Sequence, residues 1–280
     1  ALRSYDLFHF YFAKSLLPLN LDMPILKLCG KKILMDYLGS GIMLNSLQRK
    51  RNPYYHLRSP NHKLDKYDLV KKIRMRWQSL WFDRCLAGRS LYAHAITSIP
   101  KRKIVNNLWI NNSMNLNNCR PKFETREIPL IVHAPTNTKT KGTPYVEQAV
   151  DALKEEGYNF EYKMFHKVPH DQVLEFIRDE ADIVVDQLIS GGFGTLAIEA
   201  MCFGKPVCGY VMEDIREMLP GLPIIQCTTE TIKEKLAWLI EHPEERIKAG
   251  KAGWEFAKAH FDLNKNNQEL WALYEEILNE

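Results

Sequence analysis

No stretch of the 280 residues approaches the roughly 20 consecutive apolar residues that a membrane-spanning helix needs. A positively charged start followed by an apolar segment, the mark of a secretory leader, is also missing. The six cysteines, at 29, 85, 119, 202, 208 and 227, lack the two-residue spacing of a zinc or redox pair. Several sit inside apolar runs, which predicts reduced, buried thiols and excludes a disulfide framework. The single sequon, Asn111-Asn112-Ser113, is too short a pattern to change that expectation. There is no internal repeat, no low-complexity tract and no motif of a DNA- or RNA-binding module, so no nucleic-acid partner is expected. The chain opens on Ala1 and runs almost at once into a strand-like segment, so residues upstream are expected to have been lost.

What is present is enough apolar material, 45% of the chain, for two domains of roughly 100–150 residues each. The formal net charge of +4 conceals a split. Residues 1–127 hold 23 Lys/Arg and 8 Asp/Glu, whereas residues 128–280 hold 15 and 26. A first half that basic attracts an anionic partner, such as an acidic lipid surface or an anionic substrate.

From residue 128 onward, short apolar runs alternate with helical periods, the signature of parallel βαβ units. Strands are expected at 130–133, 160–165, 183–185 and 206–211, with a short one near 224. Helices are expected from Thr143 (as N-cap, with Pro144 next) to Gly157, and at 172–177, 195–203, 213–219, 230–241, 244–260 and 265–278. The first half is less regular. Strands fit 5–12, 32–36, 92–97 and 103–109, and helices fit 24–29 and 66–86, with a polar, basic loop at 45–64. The linker is placed at 111–127. The expected fold class is α/β, two Rossmann-like doubly wound domains at 1–127 and 128–280, the first incomplete at its N-terminus.

The densest constellation runs from Asp186-Gln187 through Gly191-Gly192-Phe193-Gly194-Thr195 to Glu199-Ala200-Met201 and Gly204-Lys205-Pro206-Val207. A strand delivers the chain to three glycines and a helix starts directly after them. Glycines let a ligand approach the backbone, and the unpaired amides of a helix's first turn favour an anion such as a diphosphate. Glu199 lies about 7 Å further along that helix, at the reach of a ribose. The glycines alone would make a tight turn equally well. Glu199, however, is an isolated charge on an apolar helix, and such charges usually have a partner.

This segment resembles the donor-site helix of retaining GT-B glycosyltransferases, the glycosyl transferases group 1 family. Phe193-Gly194, Glu199-Ala200-Met201 and Gly204-Lys205-Pro206-Val207 match that pattern in order and spacing. The resemblance implies that Glu199 holds the ribose and that Gly191, Gly192, Gly194 and Thr195 cradle the diphosphate. It also implies that Asp186 and Gln187 belong to the donor site. Gly191 stands where the family usually has a glutamate facing the donor sugar. A second loop, from His133 through Asn137 to Lys141-Gly142, is similar to the family's cation-before-glycine contact to the donor diphosphate. It names Lys141, with Asn137 and Lys139 as weaker candidates. In the first half, Phe8-His9-Phe10-Tyr11 resembles the acceptor-domain strand that carries a His-x-His pair. His9 is thereby a catalytic candidate beside Glu199, with Tyr11 at the second position. Leu38-Gly39-Ser40-Gly41 keeps the turn of the family's His-Gly-Ser-Asp and loses two polar side chains.

The resemblance implies transfer of a sugar from a nucleotide-diphosphate donor to a hydroxyl, with the acceptor a glycan, a lipid-linked molecule or an anionic one. It suits cell-envelope or polysaccharide synthesis. Neither a metal nor another cofactor is expected, because the phosphate charge has cationic and dipolar partners. Helix 265–278, with Leu270, Trp271, Leu273 and Tyr274 as its apolar face, is expected to cross back to the first domain. The basic runs at 49–51, 71–76 and 101–103, with Tyr54, Tyr55 and Trp77 as anchors, fit peripheral attachment to an anionic membrane from the cytoplasm. Two other readings stay open. One is a catalytically impaired nucleotide-binding or scaffold homologue, suggested by Gly191, Leu38 and Gly41. The other is a nucleotide-sugar epimerase of the same architecture.

Overall fold

The computed structural model describes residues 3–58, 64–106, 108 and 112–280, so Asn111 of the sequon lies outside the described residues. The chain opens with β1 (Leu7–Tyr11), α1 (Asp22–Leu28), β2 (Lys32–Tyr37), α2 (Asn45–Arg51), α3 (Tyr55–Arg58) and α4 (Tyr67–Ser79). It continues with β3 (Arg84–Ala87), α5 (Arg89–Ala95), β4 (Ile104–Val105), β5 (Leu130–His133), α6 (Thr138–Lys141) and α7 (Thr143–Glu155). Next come β6 (Glu161–Met164), α8 (His170–Glu180), β7 (Ile183–Val185), α9 (Thr195–Cys202) and β8 (Val207–Gly209). The last elements are α10 (Glu213–Glu217), β9 (Ile225–Gln226), α11 (Ile232–Glu241), α12 (Pro243–His260) and α13 (Leu263–Asn279).

Two compact units result. The first comprises Ala1–Arg51, Asn61–Ile110 and Lys265–Glu280, and the second Asn52–Pro60 and Asn111–Asn264. This is not a single cut at 127. Segment 52–60 joins the second unit, where Asn52 Nδ2 donates to Ile189 O at 2.8 Å and Tyr54 OH donates to Glu230. The expected linker, 111–127, is also held there: Met114 N donates to Phe261 O and Lys122 N donates to Phe203 O.

The first unit is a four-stranded parallel sheet in the order β1-β2-β3-β4. Strand alternation sends Ile33, Met35 and Tyr37 to one face, where they meet Met23 and Leu26 of α1 and Met75 of α4. Leu34 and Leu86 point to the other face, against Leu270, Leu273, Tyr274 and Ile277 of α13. Trp271 is not part of that contact; it is exposed.

Several first-half expectations fail here for one reason, the reach of tertiary hydrogen bonds. The supposed loop 45–64 contains α2 and α3. The N-terminus of α2 is capped from a distance: Asp68 of α4 accepts from Asn45 N and Ser46 N, both at 2.8 Å, and from the Ser46 hydroxyl. Helix 66–86 stops at Ser79, because Asp83 turns to accept from Ile33 N and Lys27 Nζ and starts β3. The strand expected at 92–97 is helix α5, whose buried His94 accepts from Leu44 N. Of 103–109, only Ile104–Val105 is strand, and residues 107 and 109 lie outside the described residues.

The second unit is a five-stranded parallel sheet, β6-β5-β7-β8-β9. Its central strands are buried on both faces, as the unbroken apolar runs at 130–133 and 183–185 require. Helices α7 and α11 cover one face through Val146, Val150, Leu153, Leu236 and Leu239. The other face takes the apolar helix α9, which itself lies against α12. Gly142, at φ +83°, is the residue that opens α7; Thr143, expected there, is inside the helix and bonds the buried His133. Five cysteines are buried and free, as expected, whereas Cys29 is exposed.

Helix α12 approaches the turn after α9 so closely that a Cβ on Gly250 would lie 2.1 Å from Gly204 O. Gly250→Ala is therefore expected to force the helix outward and lower stability by about 1–3 kcal/mol, read as a Tm drop of several degrees by calorimetry.

Candidate active site

In an open parallel sheet, ligands bind beyond the carboxyl ends of the strands, where the winding direction reverses. In the second unit that point lies between β5 and β7, because β6 is added on one side of β5 and β7 on the other. The loops leaving those three strands line a pocket of about 540 Å³. Ala134, Pro135 and Thr136 come from the β5 loop, Phe165 and Lys167 from the β6 loop, His170 from the start of α8, and Gly194, Thr195 and Glu199 from the β7 loop and α9.

Asp186, the first residue after β7, organises the pocket floor. It is 2% exposed. One carboxylate oxygen accepts from Lys141 Nζ at 2.8 Å, and the other accepts from the Gly194 amide at 2.6 Å. Lys141 is thereby brought from the end of α6 to the N-terminus of α9; a Cβ on Gly194 would lie 2.8 Å from its ammonium. The first amides of α9 have no intrahelical acceptors, so a cation and a half-positive helix end point at the same volume. Lys141 keeps N–H donors beyond the one that Asp186 accepts.

Glu199, on the second turn of α9, is 3% exposed and lines the pocket. His170 Nε2 donates to its Oε1 at 2.8 Å, while its Oε2 is buried with no partner among the described residues. Burial raises the carboxyl's pKa, and the neighbouring His170 only partly opposes this.

The other candidates hold the frame. The Asn137 side chain caps α6 by accepting from Thr140 N at 2.9 Å. Gln187 is buried and its Nε2 donates to Gly192 O, bracing the glycine turn. Gly191 sits at φ +76°, and a Cβ there would fall 2.7 Å from Met212 Cγ and 2.8 Å from Asn52 Nδ2. A glutamate at this position, as in the family pattern, has no room in this conformation. His133 is buried: Nδ1 donates to Val185 O, Nε2 accepts from Thr143, and burial lowers its pKa to about 4.

His9 belongs to the first unit, on β1. Its Nδ1 lies 2.7 Å from the Tyr274 hydroxyl, its ring stacks on Tyr11, and burial lowers its pKa to about 4. Ser40 and its turn are likewise in that unit.

Phe165, Lys167 and His170 were not singled out from the sequence. Their signal was positional: they follow a parallel strand and precede a helix, as Lys141 and Gly194 do.

Residues 132–256 match the family model described as glycosyl transferases group 1. That match lies within the second unit. Among curated proteins it is similar to the uncharacterized glycosyltransferase MJ1178 of Methanocaldococcus jannaschii, at 28% identity over 47% of this chain and 44% of the relative. The match thus spans less than half of that relative's length. Among solved structures it is similar to sucrose-phosphate synthase from Thermosynechococcus elongatus, with a TM-score of 0.68 and 14% identity over 98% of this chain and 74% of the other. It is also similar to Anabaena HepE, solved in complex with UDP-glucose, with a TM-score of 0.65 and 13% identity over 97% of this chain and 79% of the other. The fold is GT-B.

The raised pKa of Glu199 has a measurable sign. The folded protein holds this proton more tightly than the unfolded chain, so stability falls as pH rises through the carboxylate range. Glu199→Gln is expected to be at least as stable as the parent at pH 7. That difference should vanish below the ordinary glutamate value of 4.5, as followed by denaturant titration across pH.

Proposed function

We propose that this protein transfers a sugar from a nucleoside-diphosphate sugar to a hydroxyl acceptor, with retention at the anomeric carbon. The observation that carries the reading is Glu199: a buried carboxylate with one oxygen unpartnered, lining a pocket whose other end is the cationic mouth of α9. A ribose diol bonded to Glu199 Oε2 would set the diphosphate about one and a half helical turns away, against Lys141 and the α9 amides. There the negative charge that develops on the leaving diphosphate as the glycosidic bond breaks is stabilised before any solvent rearranges. Lys141 and the helix end supply the charge, so the reading invokes no metal. Among the described residues no three His, Cys, Asp or Glu side chains gather as metal ligands.

His9 is assigned to the acceptor side, as an imidazole that burial keeps neutral, with Nδ1 bonded to Tyr274 and Nε2 left for a hydrogen bond to substrate. The acceptor is a glycan or a lipid-linked or anionic molecule, and the enzyme works from the cytoplasm at a membrane surface. No helix among the described residues is long and apolar enough to cross a membrane.

Gly191 supports a second reading, nucleotide binding without turnover. The space beside it is filled by Met212 and Asn52, leaving no acidic group for the donor sugar at that point.

UDP, GDP, ADP and CMP, with UDP-glucose as the first donor, are the probes. The matching nucleotide at ~100 times its Kd should stabilise the parent by about 2.7 kcal/mol, a shift of several degrees, and Glu199→Ala should abolish the shift. Release of the nucleotide that requires an acceptor supports transfer. A shift without release supports the second reading, turnover of the sugar with neither acceptor nor release supports an epimerase, and no shift with any nucleotide overturns all three.

A further inference from the structure

Helix α4 is built inside out. Its polar residues turn inward: Asp68 caps α2, Lys71 donates to Met43 O, Arg74 to Gly41 O, and Gln78 to Ala13 O. Met75 apart, which packs in the core, its large aliphatic residues turn outward. Leu69, Val70 and Ile73, with Leu80 directly after the helix, lie at helical spacing and are between 58% and 68% exposed.

The neighbouring segment continues this surface. Trp77 Nε1 donates to Leu19 O at 3.0 Å, which joins α4 to the chain leading into α1. There Leu16, Leu19 and Leu28 are 72%, 79% and 88% exposed, and Leu21 and Ile25 share their side of α1. An exposed apolar patch of this extent on a folded unit marks an interaction surface.

Its charge selects the partner. Lys66, Lys72 and Arg76 flank the stripe on α4, and Lys14 lies beside the leucines. Between residues 3 and 110 the only acids are six aspartates. Asp22, Asp36 and Asp68 are buried. Asp6, Asp65 and Asp83 are paired with Lys31, Arg49 and Lys27. The glutamates of α13 lie across the sheet, on the face that Leu34 and Leu86 occupy. Leucines projecting among cations, with no unpaired carboxylate beside them among the described residues of this unit, are the composition of a helix lying in the headgroup region of an anionic bilayer.

We infer that the outer face of α4 and the leucine-rich segment before and along α1 insert into an anionic lipid surface. This replaces the anchors expected from the sequence. Tyr55 is buried, Tyr54 belongs to the second unit, and Arg49, Lys71, Arg74 and Lys103 are committed to internal partners. The membrane term of the proposed function rests on this surface, while the sugar-transfer term does not.

The test is flotation of the whole chain with vesicles of phosphatidylcholine alone and of equimolar phosphatidylcholine and phosphatidylglycerol. The parent should float with the anionic vesicles only. Ile73→Glu with Leu80→Glu, and separately Lys72→Glu with Arg76→Glu, should each weaken binding about tenfold or more. Thermal melts and the nucleotide-induced shift should stay at parent values in both variants, which separates failure here from failure of the donor site. No binding to anionic vesicles, equal binding to neutral ones, or unchanged binding by Ile73→Glu/Leu80→Glu would overturn the inference. So would a parent dimer that this variant dissociates in sedimentation, since a second copy would then cover the face.

Discussion

A buried aspartate tethers the parts of the pocket in the second unit. Asp186 is almost without solvent, and an unpaired carboxylate there would be costly, so its two oxygens must be satisfied. One takes the Lys141 ammonium and the other the Gly194 amide. Those bonds draw the end of α6 and the start of α9 together at the carboxyl edge of the sheet. The pocket between them is a consequence. So is its polarity, because the same contact that neutralises Asp186 leaves Lys141 poised at a helix N-terminus. Asn52 Nδ2, donating to Ile189 O, and Met212 N, donating to Gly191 O, fasten the adjoining turn from the other side.

The first unit obeys a different constraint. Its helix α4 spends its hydrogen-bonding side chains on the interior, capping α2 and satisfying the loop carbonyls of Gly41 and Met43. Met75 alone of its aliphatic residues joins the core, and Leu69, Val70 and Ile73 are left outside. The basic charge counted in the first half is therefore less free than its number suggests: several of its lysines and arginines serve as internal donors. What remains outside is apolar and cationic together, and that combination defines a surface more sharply than net charge does.

The second half was legible to within a few residues because its central strands are buried on both faces and most of its helices on one. Periodicity and apolar runs then follow burial directly. Glu199 could be found for the same reason, as a lone charge on the apolar helix α9. His170, its partner, could not, since the bond joins residues 29 apart through two separate βα loops. The first half resisted because its decisive bonds are long-range. Nothing near Asn45 announces a helix start when the capping carboxylate is Asp68, and nothing near Asp83 announces that it will reach Ile33. Asn137 and Gln187, read as ligand contacts from their place in a motif, have in addition the structural parts of a cap and a brace.

By itself, then, the sequence determined the two-part α/β organisation, the parallel sheet of the second unit and the glycine turn feeding an apolar helix with one glutamate, because these rest on local pattern and burial. Tertiary structure alone decided that Lys141 meets Asp186, that His170 meets Glu199, and that Gly191 has no space for a side chain. It also decided which side of α4 faces outward. Each depends on atoms brought together from distant segments, and the periodicity of a helix tells which residues share a face without telling which face is buried.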